Sequence, residues 1–384
     1  MSERPPADLP DETDLPDEAD ETVPVRDEDA FDVAAVAHWL RAHAHDPAGL
    51  HGTPEVRQFP GGASNLTYLL SYPSRDLILR RPPLGAKAHS AHDMLREFTV
   101  QSRLRPVFPL VAEMVAYCGD PDLIGSDFYV MERIRGTILR RDPPAGLSLS
   151  APAARRLCTD FLDVLVALHS VDPSGAGLAE LGRGDGYVAR QVTGWAQRFR
   201  AARTEDVGDY EEVIGWLQEH RPGDRGTCVI HNDFRLDNVV LAGGDPLQVV
   251  GVLDWEMATV GDPLMDLGGA LAYWIQADDE EAFRALRRQP THLPGMLTRA
   301  EMVDYYARRT GLSLTAEQWR FYEVFGLFRL AVIAQQIYYR YHQGQTTNEA
   351  YARFLPVVRH LEHRCHLLVG GTAAGGPPSP SPGS

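Results

Sequence analysis

CVIHNDFRLDNVV, residues 228–240, and LQVVGVLDWEMATVGDPLMDLGG, residues 247–269, carry the reading that decides the fold. The first contains His231-x-Asp233-x4-Asn238. The second holds an apolar, valine-rich run, Val249, Val250, Val252 and Leu253, that reads as a strand and ends in Asp254-Trp255-Glu256. Two acids and an amide at the ends of adjacent strands can hold Mg2+, a hard cation that takes oxygen ligands. Asp233 has a further possible role: accepting a hydroxyl proton and aiming that oxygen at phosphorus. The plain alternative is a set of strand-end caps and turn residues, because Asp and Asn are common there. With four Asn in the chain, a chance H-x-D-x4-N is expected on the order of once in a hundred such chains.

Outward from this stretch, residues 50–135 read as three strands, a helix and two more strands. Val56–Phe59 runs into Pro60-Gly61-Gly62-Ala63-Ser64-Asn65. Leu66–Tyr72 and Leu77–Arg81 flank the turn formers Pro73-Ser74-Arg75-Asp76 as a hairpin. Residues 90–105 read as a helix capped by Ser90, and Leu110–Tyr117 and Asp127–Ile134 as strands. Helical spacing also marks 31–44, and then 150–170, 187–204, 209–220, 263–276, 298–310, 315–343 and 347–367. Short β runs interrupt the later helices at 227–230, 238–242 and 247–253.

HNDFRLDN followed by VLDWE and GDPLMDLG strongly resembles the aminoglycoside phosphotransferase and choline kinase-like family. LRRPP after the third strand and REF in the helix look most like one branch. That branch includes the kinase-like domain of acyl-CoA dehydrogenase family members 10 and 11. The resemblance covers about residues 50–345. It implies an α+β, bilobal, protein-kinase-like fold: a β-rich first lobe over 31–135 and a helical second lobe over 136–369. It also implies an ATP- and Mg2+-dependent transfer of the γ-phosphoryl group to a hydroxyl of a small molecule. By the resemblance Asp233 is the catalytic base, Asn238 and Asp254 hold Mg2+, and His231 supports the loop.

The first lobe can be tested against the same chemistry. Gly61, Gly62, Ser64 and Asn65 lie between two strands, where backbone N–H groups and short side chains can cover phosphates. No Gly-Lys-Ser/Thr follows and the kinase G-x-G-x-x-G pattern is absent, so a plain turn is the other reading. The third strand should present a cation to the phosphates, paired with an acid on the next helix. The strand ends in Arg80, and Glu97 is the natural partner; a surface ion pair is the alternative. Tyr129–Ile134 resembles the segment joining the lobes. There, backbone groups near Glu132 and Ile134 would bind adenine and Met131 would sit beside it. Asp262 before Pro263 reads as a helix N-cap, and Asp266 as a brace for the catalytic loop.

Composition narrows the function classes. The chain has 384 residues and a net charge of −16, from 37 basic and 53 acidic residues. The basic residues are 36 Arg and the single Lys87, so a lysine mechanism must use Lys87, which sits in a loop before the helix. Residues 1–30 hold 12 acids against Arg4 and Arg26, a net of −10, and the remainder carries only −6. A near-neutral body without a basic stripe speaks against nucleic acid. No apolar run reaches the ~18 residues of a membrane span. The acidic arm 1–30 and the tail 370–384 are expected to be disordered. Four scattered cysteines and an N-terminus unlike a targeting peptide suggest a cytoplasmic protein with free thiols.

The acceptor suggested by the branch is a hydroxyl on an acyl-CoA or a related lipid-like metabolite, ranked above an aminoglycoside. Two other classes stay open. One is a nucleotide-binding pseudokinase, which would explain the missing strand lysine. The other is a metal-dependent hydrolase using His231, Asp233 and Asp254 as ligands.

Overall fold

In the computed structural model, residues 22–60, 65–83, 93–243 and 247–370 are described. Helix α1 (Val33–His43) starts at Asp32, whose side chain accepts from the Ala35 N–H. Strands β1 (Glu55–Gln58), β2 (Leu66–Ser71) and β3 (Asp76–Arg81) precede helix α2 (Met94–Leu104). Strands β4 (Met114–Cys118) and β5 (Phe128–Glu132) complete an antiparallel sheet of order β1-β2-β3-β5-β4. The expected β–β–β–α–β–β order is therefore observed. Helix α2 is capped by Asp93, which accepts from the Arg96 N–H, and not by Ser90, which lies outside the described residues.

Strand alternation sorts this sheet into two faces. Tyr68, Leu70, Leu77, Leu79, Phe128 and Val130 form one apolar cluster with Val36 and Leu40 of α1. Leu69, Ile78, Tyr129 and Met131 form another with Met94 of α2. Each large apolar side chain buried this way contributes about 1.5–3 kcal/mol. The register sets Thr67 opposite Arg80 and Arg80 opposite Tyr129, so Arg80 shares the α2 face. Arg81 then falls on the α1 face.

The expected disordered arm 1–30 needs correction. Val23 and Gln58 exchange backbone hydrogen bonds of 2.8 and 2.9 Å. The Asp29 carbonyl accepts from Tyr68 Oη at 2.9 Å and from an Arg81 guanidinium nitrogen at 2.6 Å. Arg81 is fully buried, and its guanidinium needs oxygen acceptors that the arm supplies. Charge counting could not reveal this, because the contact uses backbone carbonyls. Residues 1–21 and 371–384 lie outside the described residues.

The second lobe begins with β6 (Thr137–Ile138), α3 (Ala151–His169), α4 (Tyr187–Ala202) and α5 (Glu211–Glu219). Strands β7 (Cys228–Ile230), β8 (Val239–Ala242), β9 (Gln248–Val252) and β10 (Thr259–Gly261) follow. β6-β8-β9 form one small sheet and β10-β7 another. The chain ends with α6 (Pro263–Ala272), α7 (Glu281–Arg284), α8 (Arg299–Thr310), α9 (Ala316–His342) and α10 (Phe354–Val369). The helix expected over 347–367 is split: 349–353 is a 3-10 turn. Pro356 has no N–H to donate, so the α-helix starts just before it, with the proline in its first turn.

Two close approaches set the second lobe. A Cβ on Gly326 of α9 would lie 2.2 Å from the Gly268 carbonyl of α6, so the two helices cross at backbone contact. A Cβ on Gly251 would lie 2.6 Å from Ile134 Cδ1, so the segment leaving the first lobe rests directly on β9. Among the described residues no helix is long and apolar enough to cross a membrane. All four cysteines are free and buried, and burial pushes the Cys158 thiol up to about 12.

Candidate active site

The segment 231–238 lies between β7 and β8 and is held by its own spacing. His231 is fully buried. Its Nε2 is 2.8 Å from the Leu253 carbonyl, so Nε2 carries the proton, while Nδ1 accepts from the Asp233 N–H at 3.2 Å. Asn232 has a φ of 66°, a left-handed conformation that Asn tolerates better than most residues. This kink turns Asp233 back toward Asn238. The Asn238 side-chain amide donates to Asp233 Oδ2 and to the Asp233 carbonyl, both at 2.9 Å. The other Asp233 oxygen lies 3.3 Å from Arg235 Nε. Arg235 rests over the Tyr273 ring at 4.7 Å.

β9 delivers the second acid. The Leu253 N–H donates to the Asn238 carbonyl at 2.8 Å, which ties the ends of β8 and β9 together. Asp254 then takes a left-handed φ of 64° and presents its carboxylate to the cleft. Trp255, fully buried, packs against His231 at a tilt of 56°, with centroids 4.8 Å apart. Asn238 is thus bonded to Asp233, and Asp254 follows directly on the residue whose N–H holds the Asn238 carbonyl.

Arg80 reaches Asp254 from the first lobe. One guanidinium nitrogen lies 3.4 Å from Glu97 Oε2 and the other 3.5 Å from Asp254 Oδ1. Burial opposes the guanidinium charge, but Tyr129, Glu97, Asp254 and Glu256 around it outweigh burial and hold Arg80 more firmly protonated than usual. Glu97 is almost fully buried and accepts from Tyr129 Oη at 2.8 Å and Asn65 Nδ2 at 3.1 Å. Asn65 also reaches Glu256 Oε2 at 3.4 Å, so the buried network spans both lobes. Gly61, Gly62 and Ser64, and Lys87 with its loop, lie outside the described residues.

The segment joining the lobes is partly engaged. The Glu132 N–H donates to the Glu113 carbonyl at 2.8 Å, and its carboxylate pairs with Arg75. Glu132 therefore offers the cleft no free carboxylate. Met131 packs with Leu69 and Ile78 on the α2 face, and Ile134 packs beside them.

Several supporting residues were not singled out from sequence. Tyr129 could have been, because it lies two positions before Met131 in the same strand alternation. Arg235 and Arg329 gave no local signal. Asp266 behaves as expected: its Oδ2 accepts from the His231 N–H and its Oδ1 from the Asn232 N–H, both at 2.8 Å. His169 adds a contact at 3.1 Å and is itself 2.7 Å from Tyr306 Oη. Burial pushes the Asp266 carboxyl up, but His169 and the His231 amide pull it below its ordinary range. Asp262 caps α6, accepting from the Leu264 and Met265 N–H groups at 2.9 and 3.2 Å. Asp279, in the acidic run 278–281, is paired with Arg299 at 2.7 Å and Arg364 at 3.0 Å.

Among the described residues no group of three or more His, Cys, Asp or Glu could hold a metal. Asn238 and Asp254 still fit Mg2+, which takes one or two protein oxygens and completes its shell with phosphates and water.

The fold agrees with comparisons to known proteins. The family described as "Phosphotransferase enzyme family" matches residues 55–302. Acyl-CoA dehydrogenase family member 11 of Rattus norvegicus is 32% identical over 333 residues, 86% of this chain and 42% of the relative. Family member 10 of Mus musculus is 34% identical over 330 residues, 85% of this chain and 30% of the relative. The chain thus spans less than half the length of these curated relatives. A crystal structure of a "putative aminoglycoside phosphotransferase" from Ralstonia eutropha matches with a TM-score of 0.74 and 30% identity. It covers 89% of this chain and 99% of that one. With its bilobal protein-kinase-like fold, the chain belongs to the phosphotransferase enzyme family.

Proposed function

We propose that this chain transfers the γ-phosphoryl group of ATP to a hydroxyl of a small molecule, with Mg2+ as cofactor. The observation that carries the reading is the pairing of Asn238 with Asp233 and of Arg80 with Asp254, the two pairs being tied through the Leu253 N–H bond to the Asn238 carbonyl. ATP would lie in the cleft, with its base near Met131 and the backbone of Glu132 and Ile134. Gly61, Gly62, Ser64 and Asn65 would cover its phosphates. Arg80, kept charged by the acids around it, would bind a phosphate oxygen bidentately, and Glu97 would hold it in place. Asn238 and Asp254 would hold Mg2+, which when bound supplies positive charge to the phosphate oxygens. Asp233, oriented by the Asn238 amide, would accept the acceptor's hydroxyl proton. Positioning and fixed charge would supply most of the rate.

The acceptor we favour is a hydroxyl on an acyl-CoA or a related lipid-like metabolite. Its support is the similarity to acyl-CoA dehydrogenase family members 10 and 11. A polycationic aminoglycoside ranks lower, because the acidic run 278–281 has Asp279 neutralised by two arginines. A hydrolase built on His231 as a metal ligand ranks lower still, because both ring nitrogens already have partners.

31P NMR of the protein with ATP, Mg2+ and a pool of hydroxylated metabolites, hydroxyacyl-CoAs included, should show a new phosphomonoester. Asp233→Asn should abolish it while nucleotide binding persists. Unchanged turnover in that variant would sink the assignment. Mg2+-dependent nucleotide binding with no product across a wide pool would favour a pseudokinase.

A further inference from the structure

Most buried and half-buried arginines of this protein are matched to oxygen atoms, but Arg198, near the catalytic loop, is not. Arg80 meets Glu97 and Asp254, and Arg299 and Arg364 meet Asp279. Arg81 meets the carbonyls of Asp29 and Ile124. Arg329 donates to the Asn232 carbonyl at 2.7 Å. Arg198 of α4 is partly buried, and among the described residues its guanidinium makes no hydrogen bond or ion pair. It lies 4.6 Å from the centroid of Trp195, and the Arg329 guanidinium lies 5.3 Å from the same ring. Burial, and then the nearby like charge of Arg329, lower the Arg198 pKa. A partly desolvated charge without a counter-charge is costly, and a bound anion would remove that cost.

The place of this pair is informative. Tyr187, Trp195 and Arg198 share one face of α4, being eight and three residues apart. Tyr187 Oη donates to Asn232 Oδ1 at 3.2 Å, so that face looks onto the residue before Asp233. The Asn232 amide in turn donates to the Met257 carbonyl at 3.1 Å. The first-lobe side of the same segment is taken by Arg80 at Asp254 and by Arg96, which donates to the Glu256 carbonyl at 2.8 Å. Tyr187 of α4 and Arg329 of α9 therefore meet the catalytic loop at Asn232, while Arg80 and Arg96 of the first lobe meet the segment 254–258.

We propose that Arg198, held against Trp195, is the anion-recognition element of the acceptor site. The acceptor then carries an oxyanion, a carboxylate or a phosphate, in addition to the hydroxyl that reaches Asp233. This inference rests on the phosphotransferase reading for the identity of its ligand, but not for the existence of the anion site. A guanidinium grips either oxyanion through two parallel hydrogen bonds, and the indole face keeps its plane fixed. Arg329 adds charge while bracing Asn232.

Two measurements on the intact chain test it. With the nucleotide site filled by a non-hydrolysable ATP analogue and Mg2+, inorganic phosphate should bind by calorimetry. Arg198→Ala should weaken that binding at least tenfold, and Arg198→Lys, which keeps the charge, should weaken it less. Separate pools of hydroxycarboxylates, phosphorylated alcohols, neutral alcohols and aminoglycosides are then offered with ATP. Product should arise in an anionic pool, with the Arg198→Ala effect falling on the acceptor KM more than on kcat. The responding pool tells carboxylate from phosphate. Phosphate binding indifferent to Arg198→Ala would overturn the anion site, as would efficient turnover of neutral alcohols with an unchanged KM. No product in any pool would count against the phosphotransferase reading, while the phosphate titration would still decide the anion site.

Discussion

Arg80 and Arg81 are neighbours of the same type at the end of one strand, yet they belong to opposite halves of the first lobe. Arg80 faces α2 and the cleft, where its partners are the carboxylates of Glu97 and Asp254. Arg81 faces α1, where its partners are the carbonyls of Asp29 and Ile124 and the Tyr68 hydroxyl. Its guanidinium also lies 5.6 Å from the Phe31 ring centroid. The difference follows from strand alternation alone. It teaches that a charge held by side-chain carboxylates at a cleft can take a phosphate as a further partner. A charge held by backbone carbonyls is committed to the fold.

The largest effect that would break or sharpen this contrast is on turnover. Arg80→Ala should lower kcat/KM by about 100-fold or more, the scale of removing one fixed charge from a phosphoryl-transfer site. Arg80→Lys should recover part of that loss, because the charge remains but the two-pronged geometry does not. Wild-type turnover in Arg80→Ala would move the phosphate contact to Lys87. Arg81→Ala should act on stability, by about 2–4 kcal/mol in chemical denaturation, since several hydrogen bonds to one buried charge are lost. Its folded fraction should turn over within a few-fold of wild type. A large catalytic loss without destabilisation would erase the distinction between the two faces.

The smallest effect concerns pH and the second lobe. The Asp266 carboxyl lies below its ordinary range in the folded protein. The unfolded chain therefore binds its proton more readily. Asp266 should stabilise fully above the ordinary carboxylate pKa of about 4 and progressively less as pH falls through its lowered folded value. The stability gap between wild type and Asp266→Asn, followed by denaturation from pH 7 downward, should narrow below about pH 4. A gap that stays constant down to pH 2 would contradict this.

The catalytic stretch was legible because its partners are close in sequence. The Asn238 amide reaches Asp233 across five residues, and the cap at Asp262 acts within three. The pairing of Arg80 with Glu97 was legible from a strand followed by a helix. Other features were not. The start of α2 fell at Asp93 and not Ser90, since either residue can cap. The arm 22–30 was read as unstructured because composition counts its acids and misses the Asp29 carbonyl. Tyr129 was passed over as part of a joining segment, although its hydroxyl binds Glu97.

By itself the sequence determined the family, the order of elements and the placing of Asp233, Asn238 and Asp254 at strand ends. Those depend on short spacings and on hydrophobic periodicity, which local backbone geometry converts directly into position. Only the tertiary structure decided which charges meet. Arg329 reaches Asn232 from 97 residues away, and Asp266 reaches the same loop from 34. Asp266 lies on α6 and Arg329 on α9, and these helices cross at backbone contact through Gly268 and Gly326. Arg198 and Arg329 both lie against the Trp195 ring, and among the described residues the Arg198 guanidinium has no hydrogen bond or ion pair. Coulomb forces between side chains depend on distance in space, and distance in sequence carries no record of it.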